Sequence, residues 1–517
     1  MSRRPLSFIV VLALALILAL VPTVAAQDDG ALDLVPIELD AFGVTSVAPA
    51  AWAEQPGGRF PRGAPPDDLA QIVMQAAPIS TELLWPSLLP SLGLDEVPES
   101  TGTLSTEDFD WTLYALPLEV AGLSLEVEIA LAEVDGTTYL VILQSAPDEF
   151  AQLRDAVLVP ALEAFALQAE EAPADGLGSE DVSFVGGAPD VELAGTLTLP
   201  SGPGPHPALV LMSGSGGQDR DSAFPGVTGL KPFELIADAL TEAGVAVLRY
   251  DDRGIGRSSG VHAEGTLEDF AADAAAAIDY LSSRDDIDPE RIGILGHSEG
   301  GAYASILGAS DPRVSFIVSL AGPAIPGVQL LVEQNEAVAR SIGLPEDEVA
   351  AARAYAEIVL PQALAGDAEA VETSLRDFFG ATWDRQTDEA RTQLGERDAF
   401  IQASSDAQLP VLLSDSYRAL LAYDPAPDWS QVTAPVLGIY GGLDVQVPSS
   451  SNEPALRAAL EAAGNSDFET LVLPDANHLF QAAVTGAVSE YGELASEFTP
   501  DLLPALVEWV TERAGVS

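Results

Sequence analysis

The 517-residue sequence has no cysteine, one lysine (Lys231), three methionines and four histidines. Each scarcity excludes something. Without cysteine no disulfide can form, and no lipid-modified cysteine can anchor the chain. The histidines are scattered at His206, His262, His297 and His478, so no segment has the ligand spacing of a zinc site, and no metal or other cofactor is expected. Positive charge is equally short. Lysine and arginine total 22 against 80 acidic residues, a formal net charge of −58. Phosphate would be repelled, which makes nucleic acid a poor partner. Two origins of the acidity stay open: a high-GC genome with an acidic extracellular proteome, or a carboxylate-rich surface that needs salt.

What is present begins with a targeting signal. Arg3-Arg4 precede an apolar core from Phe8 to Val21, and Pro22 and Val24-Ala-Ala26 follow. A charged start, a short apolar core and small residues at the end define a secretory signal peptide over 1–26. The core is short for a membrane span, so no stable span is expected once the signal is cleaved; an uncleaved anchor is the alternative. The mature chain is expected to be secreted or to reside in the cell envelope.

Residues 31–168 read as a small α+β domain. Leu123–Leu131 alternates strictly, Asp135-Gly136 supplies a hairpin turn, and Thr138–Leu143 returns. A helical stretch is expected over 149–167. With Gly43-Val-Thr-Ser-Val-Ala-Pro-Ala-Ala-Trp52 the region is similar to the PsbP/Mog1-like fold, and it carries no recognisable chemistry. The polar run 169–180 reads as a linker.

Chemistry concentrates after residue 181. The apolar run Ile292–Leu295 leads into Gly296-His297-Ser298-Glu299-Gly300, and a small-residue helix follows. A strand, a tight turn and a helix around G-x-S-x-G make a nucleophile elbow, with Ser298 exposed above the sheet edge. The helix behind it aims N–H groups and a positive dipole end at any oxyanion formed there. In such a hydrolase the acid and the histidine follow the serine in the chain. Three of the four histidines precede Ser298. His478 therefore remains, in a loop just after the strand-like Phe468–Leu473. His297 is expected to face away from the nucleophile and pack, and His206 sits in a Pro/Gly turn. Asp444 follows the strand-like Pro435–Tyr440 and is the expected acid, with Asp475 as runner-up. Pro207–Met212 is another strand, and its Gly-rich loop Ser213–Asp221 is expected to supply an oxyanion amide. Ser215 N–H pairs with Glu299 N–H in that role, with Gly216 as runner-up. A phosphate-binding reading of the loop fails for want of G-K-[ST] or G-x-G-x-x-G.

These pieces together resemble the α/β-hydrolase superfamily over about 180–517, most closely its secreted bacterial esterase-like branch, related to dienelactone hydrolases and serine aminopeptidases. Leu193–Pro200 resembles the opening hairpin, and Tyr250-Asp-Asp-Arg-Gly-Ile-Gly-Arg-Ser258 the D-x-R-G-x-G-x-S turn. Gly441-Gly-Leu-Asp444 and Asn477-His-Leu-Phe480 complete the set. Many relatives begin the oxyanion loop with His-Gly; here Ser213 replaces the histidine. Asp252 and Arg253 are read as turn-locking ion-pair residues rather than substrate ligands.

The expected fold is α/β: a doubly wound, mostly parallel sheet over 181–517, with a helical cap inserted at about 325–430. The cap would roof the site, and Phe378, Phe379, Trp383 and Tyr417 would pack within it or line an apolar pocket. The expected activity is hydrolysis of carboxylic esters through a Ser-His-Asp triad and an acyl-enzyme, with a small ester as substrate. A serine aminopeptidase that uses Glu333 and Glu336 to capture an amine is the alternative. An acyl-CoA thioesterase and an inert binding protein are further alternatives. Oligomeric state is left open.

Overall fold

Ala246–Tyr250, Val436–Gly441 and the 292–297 end of Ile287–His297 are buried at every position, the mark of strands covered on both faces. In the computed structural model they lie in one eight-stranded sheet. The structure describes residues 32–516, apart from 40–41, 56–57, 64–67, 78–79, 93, 95, 107, 121–122, 135–136, 169–177, 225–226, 228, 263–264, 388–389 and 392–393. The leader expected over 1–26 and the Asp135-Gly136 turn lie outside the described residues.

The strands of that sheet are β1 (Gly178–Val185), β2 (Glu192–Leu199), β3 (His206–Met212), β4 (Ala246–Tyr250), β5 (Ile287–His297), β6 (Val314–Leu320), β7 (Val436–Gly441) and β8 (Phe468–Leu473). Their order is β1-β2-β4-β3-β5-β6-β7-β8. β1 and β2 are antiparallel, β2 meets β4 antiparallel, and from β4 to β8 every pair is parallel. The fold is therefore α/β with a mostly parallel sheet, as the alternating pattern predicts. Alternate residues of β3 face two cores. Ala208, Val210 and Met212 meet Ala274, Ile278 and Leu281 of the helix Leu267–Ser282. Leu209 and Leu211 meet Ile236 and Leu240 of the helix Pro232–Glu242, with Leu506 and Val510 of Leu502–Ala514. Parallel pairing puts the carboxyl ends of β3 to β8 on one edge, where ligand sites of open α/β sheets form.

Between β6 and β7 the chain makes a helical excursion. Its helices are Gly327–Ser341, Glu346–Ala365, Ala368–Asp384, Arg397–Leu412 and Asp415–Ala422. They bury a core of their own that includes Leu331, Val359, Leu360, Leu375 and Phe379. Gly327 N–H donates to the Tyr423 carbonyl at 2.8 Å, closing the neck of the excursion. Phe378 stacks on Tyr355 with ring centroids 4.1 Å apart. Tyr417 packs on the same core, and the Arg391 guanidinium lies over Trp383 at 4.7 Å. These aromatics thus serve packing within the cap.

Residues 32–168 build a six-stranded antiparallel sheet and a three-stranded one. Leu123–Val134 pairs with Thr137–Ser145 in the hairpin that the alternation predicts. One face of the larger sheet buries Leu84, Trp85 and Leu88 of the helix Thr81–Leu92, and the other buries Trp111, Leu158, Leu162 and Phe165. The helical stretch expected over 149–167 forms from Phe150 to Glu163 with a widened turn inside it. Phe150–Leu153 passes through a π-turn at Arg154–Leu158 into Val159–Glu163, and Ala166–Leu167 is already a strand. Pro160 lies just beyond the widened turn and has no N–H to return to the preceding one. The expected linker is also shorter, since Gly178–Glu180 pair in β1.

Candidate active site

Ser298 follows β5 with φ of 55°, a left-handed conformation that a non-glycine residue adopts only under constraint. Two close approaches impose it. A Cβ on Gly296 would stand 2.0 Å from the Gly300 carbonyl oxygen, and one on Gly300 would stand 2.3 Å from that of Met212. The turn is thus tight enough to exclude any side chain at either flank, and the helix Gly300–Ser310 starts directly behind it. Ser298 N–H donates to the Leu320 carbonyl at 2.9 Å, tying the elbow to the end of β6.

Asp444 and His478 meet. His478 Nδ1–H donates to Asp444 Oδ2 at 2.8 Å, and both side chains are buried. The other oxygen, Oδ1, accepts from the amides of Gln446 (2.8 Å) and Val447 (2.9 Å). An aspartate that accepts from amides two and three residues on forms an Asx-type turn, so the segment after β7 holds its own carboxylate. Asp444, rather than Asp475, carries the bond to His478. Tyr491 is fully buried, and its hydroxyl accepts from Gln446 Nε2 at 3.2 Å, bracing the same turn. The Ser298 hydroxyl makes no hydrogen bond to His478 among the described residues.

The loop after β3 comes up to the serine. A Cβ on Gly214 would stand 3.0 Å from Ser298 Cβ. Among the described residues the amides of Ser215, Gly216 and Glu299 make no backbone hydrogen bond, which leaves them available to an incoming oxygen. The Glu299 carboxyl accepts from the Tyr303 hydroxyl at 3.0 Å, and burial raises its pKa above the usual carboxylate range.

His297 packs as expected, and its Nε2–H also donates to the His478 carbonyl at 2.9 Å. Two expectations need correction. Of Asp252 and Arg253, only the arginine is an ion-pair residue. Arg253 turns to Asp273, at 2.7 and 2.9 Å, while Asp252 accepts from the Ser213 hydroxyl. Adjacent residues leaving a strand point to opposite sides, so neighbours in sequence cannot share one ion pair here. Glu333 and Glu336 do not converge as a free amine trap. Glu336 is held by Arg340 and Arg353, which keep its pKa low, and Glu333 accepts from Gln329. The other histidines stand apart. His262 stacks on Phe270 and is driven down to about 4 by burial, and His206 opens β3.

A groove of about 530 Å³ lies within the cap, lined by Arg376, Asp377, Gly380, Ala381, Asp384, Arg397 and Ile401, none of which belongs to the serine site. Among the described residues no group of histidine, aspartate and glutamate side chains could hold a metal, and no helix is long and apolar enough to cross a membrane.

The sequence profile of the alpha/beta hydrolase family matches residues 209–489. Esterase EstD of Thermotoga maritima is 27% identical over 287 residues, which cover 56% of this chain and 58% of that esterase. The chain thus spans a little over half the length of that relative. A 31.7 kDa Escherichia coli protein from the traX-finO intergenic region, itself uncharacterized, is 27% identical over 287 residues, 55% of this chain and 88% of its own. Among solved structures, the Pyrococcus furiosus esterase Pf2001 is 16% identical, with 67% of this chain and 95% of that chain covered and a TM-score of 0.38. With the profile spanning more than half of its residues, the chain belongs to the alpha/beta hydrolase family.

Proposed function

We propose that the protein is a secreted serine hydrolase that cleaves carboxylic esters of small molecules through an acyl-enzyme. The observation that carries the reading is the buried 2.8 Å bond from His478 Nδ1–H to Asp444, in a chain whose elbow presents Ser298 at φ of 55°. With Nδ1 protonated, Nε2 carries a lone pair and is the basic nitrogen. In the first step His478 Nε2 takes the Ser298 proton as Oγ attacks the ester carbonyl, and Asp444 stabilises the imidazolium. The Ser298–His478 hydrogen bond forms with the substrate in place. The carbonyl oxygen becomes an oxyanion, held by the Ser215 and Glu299 amides. Collapse breaks the bond to the alcohol, which leaves with the proton from His478. Water, deprotonated by the same nitrogen, then releases the acid and restores Ser298.

The name of the Thermotoga maritima relative supports ester substrates. Peptide hydrolysis on the same triad is less well supported, because Glu336 is neutralised by two arginines. Secretion rests on the signal-like residues 1–26. The test is a panel of p-nitrophenyl esters from acetate to palmitate beside aminoacyl and prolyl anilides, at low and high salt, with the unmodified protein and Ser298→Ala. Ester turnover that disappears in Ser298→Ala is expected. Turnover of anilides alone would move the assignment to a peptidase, and turnover that survives in Ser298→Ala would remove the serine from the mechanism.

A further inference from the structure

One carboxylate holds both ends of the loop that carries Ser215 and Gly216. Asp252, two residues past β4, accepts from Ser213 Oγ at 2.7 and 2.9 Å and from Gln218 N–H at 2.9 Å. Its own amide donates to the Gln218 carbonyl at 3.1 Å. Ser213 and Gln218 bracket Gly214–Gly217, so that span crosses a gap of fixed width. The bracketed segment includes the residue against the nucleophile, since a Cβ on Gly214 would stand 3.0 Å from Ser298 Cβ. Gln218 adds an internal brace, with Nε2 donating to the Ser215 carbonyl at 3.3 Å and Oε1 accepting from the Ser222 hydroxyl.

Asp252 is an expensive group to use as a brace. It is buried, and the nearby guanidinium groups are engaged elsewhere: Arg253 with Asp273, Arg220 with Asp251. Burial pushes its carboxyl up to about 8, against the opposing pull of the Gln218 and Ser213 hydrogen bonds. A buried carboxyl compensated by hydrogen bonds rather than by a cation costs stability. Such groups gather where a protein aims dipoles at a reaction centre.

We propose that Asp252 is a positioning residue for the oxyanion loop: by gripping the Ser213 hydroxyl and the Gln218 amide it fixes the direction in which the Ser215 amide points, together with the Glu299 amide, at the oxygen of the carbonyl group whose carbon Ser298 attacks. In this chain the Ser213 hydroxyl is the donor at the start of the loop. The inference rests on the reading of Ser298 as nucleophile. Because the clamp acts on the oxyanion rather than on the ground-state ester, its loss lowers kcat and leaves KM nearly unchanged.

The experiment compares the unmodified protein, Asp252→Asn, Ser213→Ala, the double variant and Ser298→Ala on p-nitrophenyl acetate. Each is measured for kcat, KM, melting temperature and inhibition by phenylboronic acid, whose tetrahedral adduct with serine carries the oxyanion-like oxygen. Asp252→Asn is expected to lower kcat roughly 10- to 100-fold with KM within about threefold, and boronate affinity falls with kcat. Ser213→Ala, the milder change, is expected to show a smaller loss of the same kind, and the double variant no more than Asp252→Asn alone. A folded Asp252→Asn with kcat within about twofold of the unmodified protein overturns the proposal, as does a loss confined to KM. Should Asp252→Asn not fold, Ser213→Ala decides: unchanged kcat and boronate affinity overturn the clamp. Ester turnover surviving in Ser298→Ala is a different result, which overturns the catalytic reading itself.

Discussion

The imidazole of His297 donates its Nε2–H to the backbone carbonyl of His478 at 2.9 Å, so the residue before the nucleophile holds the loop of the proposed base. The two rings stand 4.9 Å apart, and the Phe480 ring meets His297 edge-on with centroids 6.3 Å apart. Burial and the neighbouring His478 drive the His297 pKa from 6.5 down to about 4.

That depression gives a pH dependence of defined sign. Between about 6.5 and about 4 the unfolded chain binds a proton at His297 and the folded chain does not. Unfolding therefore becomes easier as pH falls through this window, and the contribution is constant above it. His297→Asn removes the titration. Melting temperatures of both proteins from pH 4 to 8 check this: the curves should run parallel above about 6.5 and converge below it. Parallel curves throughout would show that His297 takes no part.

Asp444→Asn tests the acid. The amide keeps the shape of the turn but no longer offers a carboxylate to Nδ1–H, so the imidazole loses both its tautomer and its counter-charge. A fall in kcat of roughly 10³- to 10⁴-fold, with KM little changed, is expected. Steady-state kinetics on the best ester of the panel measures it, and Asp475→Asn should leave kcat within about twofold.

Gly300→Ala tests the close approach behind the elbow. The added carbon would meet the backbone oxygens of Met212 and Ser213 at 2.3 and 2.6 Å, and neither can swing aside as a side chain would. A loss of about 2–3 kcal/mol in denaturant unfolding is expected, with activity falling further because the displaced backbone carries the oxyanion loop. Gly343→Ala is the control: nothing lies within 4 Å of its Cβ position, so its cost reflects only the φ of 77°.

Much of this architecture was legible because its signals are local. The elbow is a contiguous string, each strand of the parallel sheet is a short apolar run, chain order left His478, and the strand end before it favoured Asp444 over Asp475. The relationships that escaped are those that depend on which way a side chain leaves a strand end. Asp252 and Arg253 look like a pair when written side by side, yet one turns to Ser213 and the other to Asp273. His297 was legible as buried but not as a donor, since its acceptor lies 181 residues away on a backbone carbonyl. The widened turn before Pro160 has a visible cause in the proline, although it has no sequence period of its own.

The neck at Gly327 and Tyr423 has a consequence for how this chain can change. A backbone hydrogen bond of 2.8 Å joins the two ends of the helical excursion, so the chain leaves and rejoins the sheet at one place. A short turn from 326 to 424 would join those two ends and leave the path from β6 into β7 intact. Exchanging the helices between 326 and 424 for such a turn would therefore remove a separate hydrophobic core while β6 and β7 keep their register.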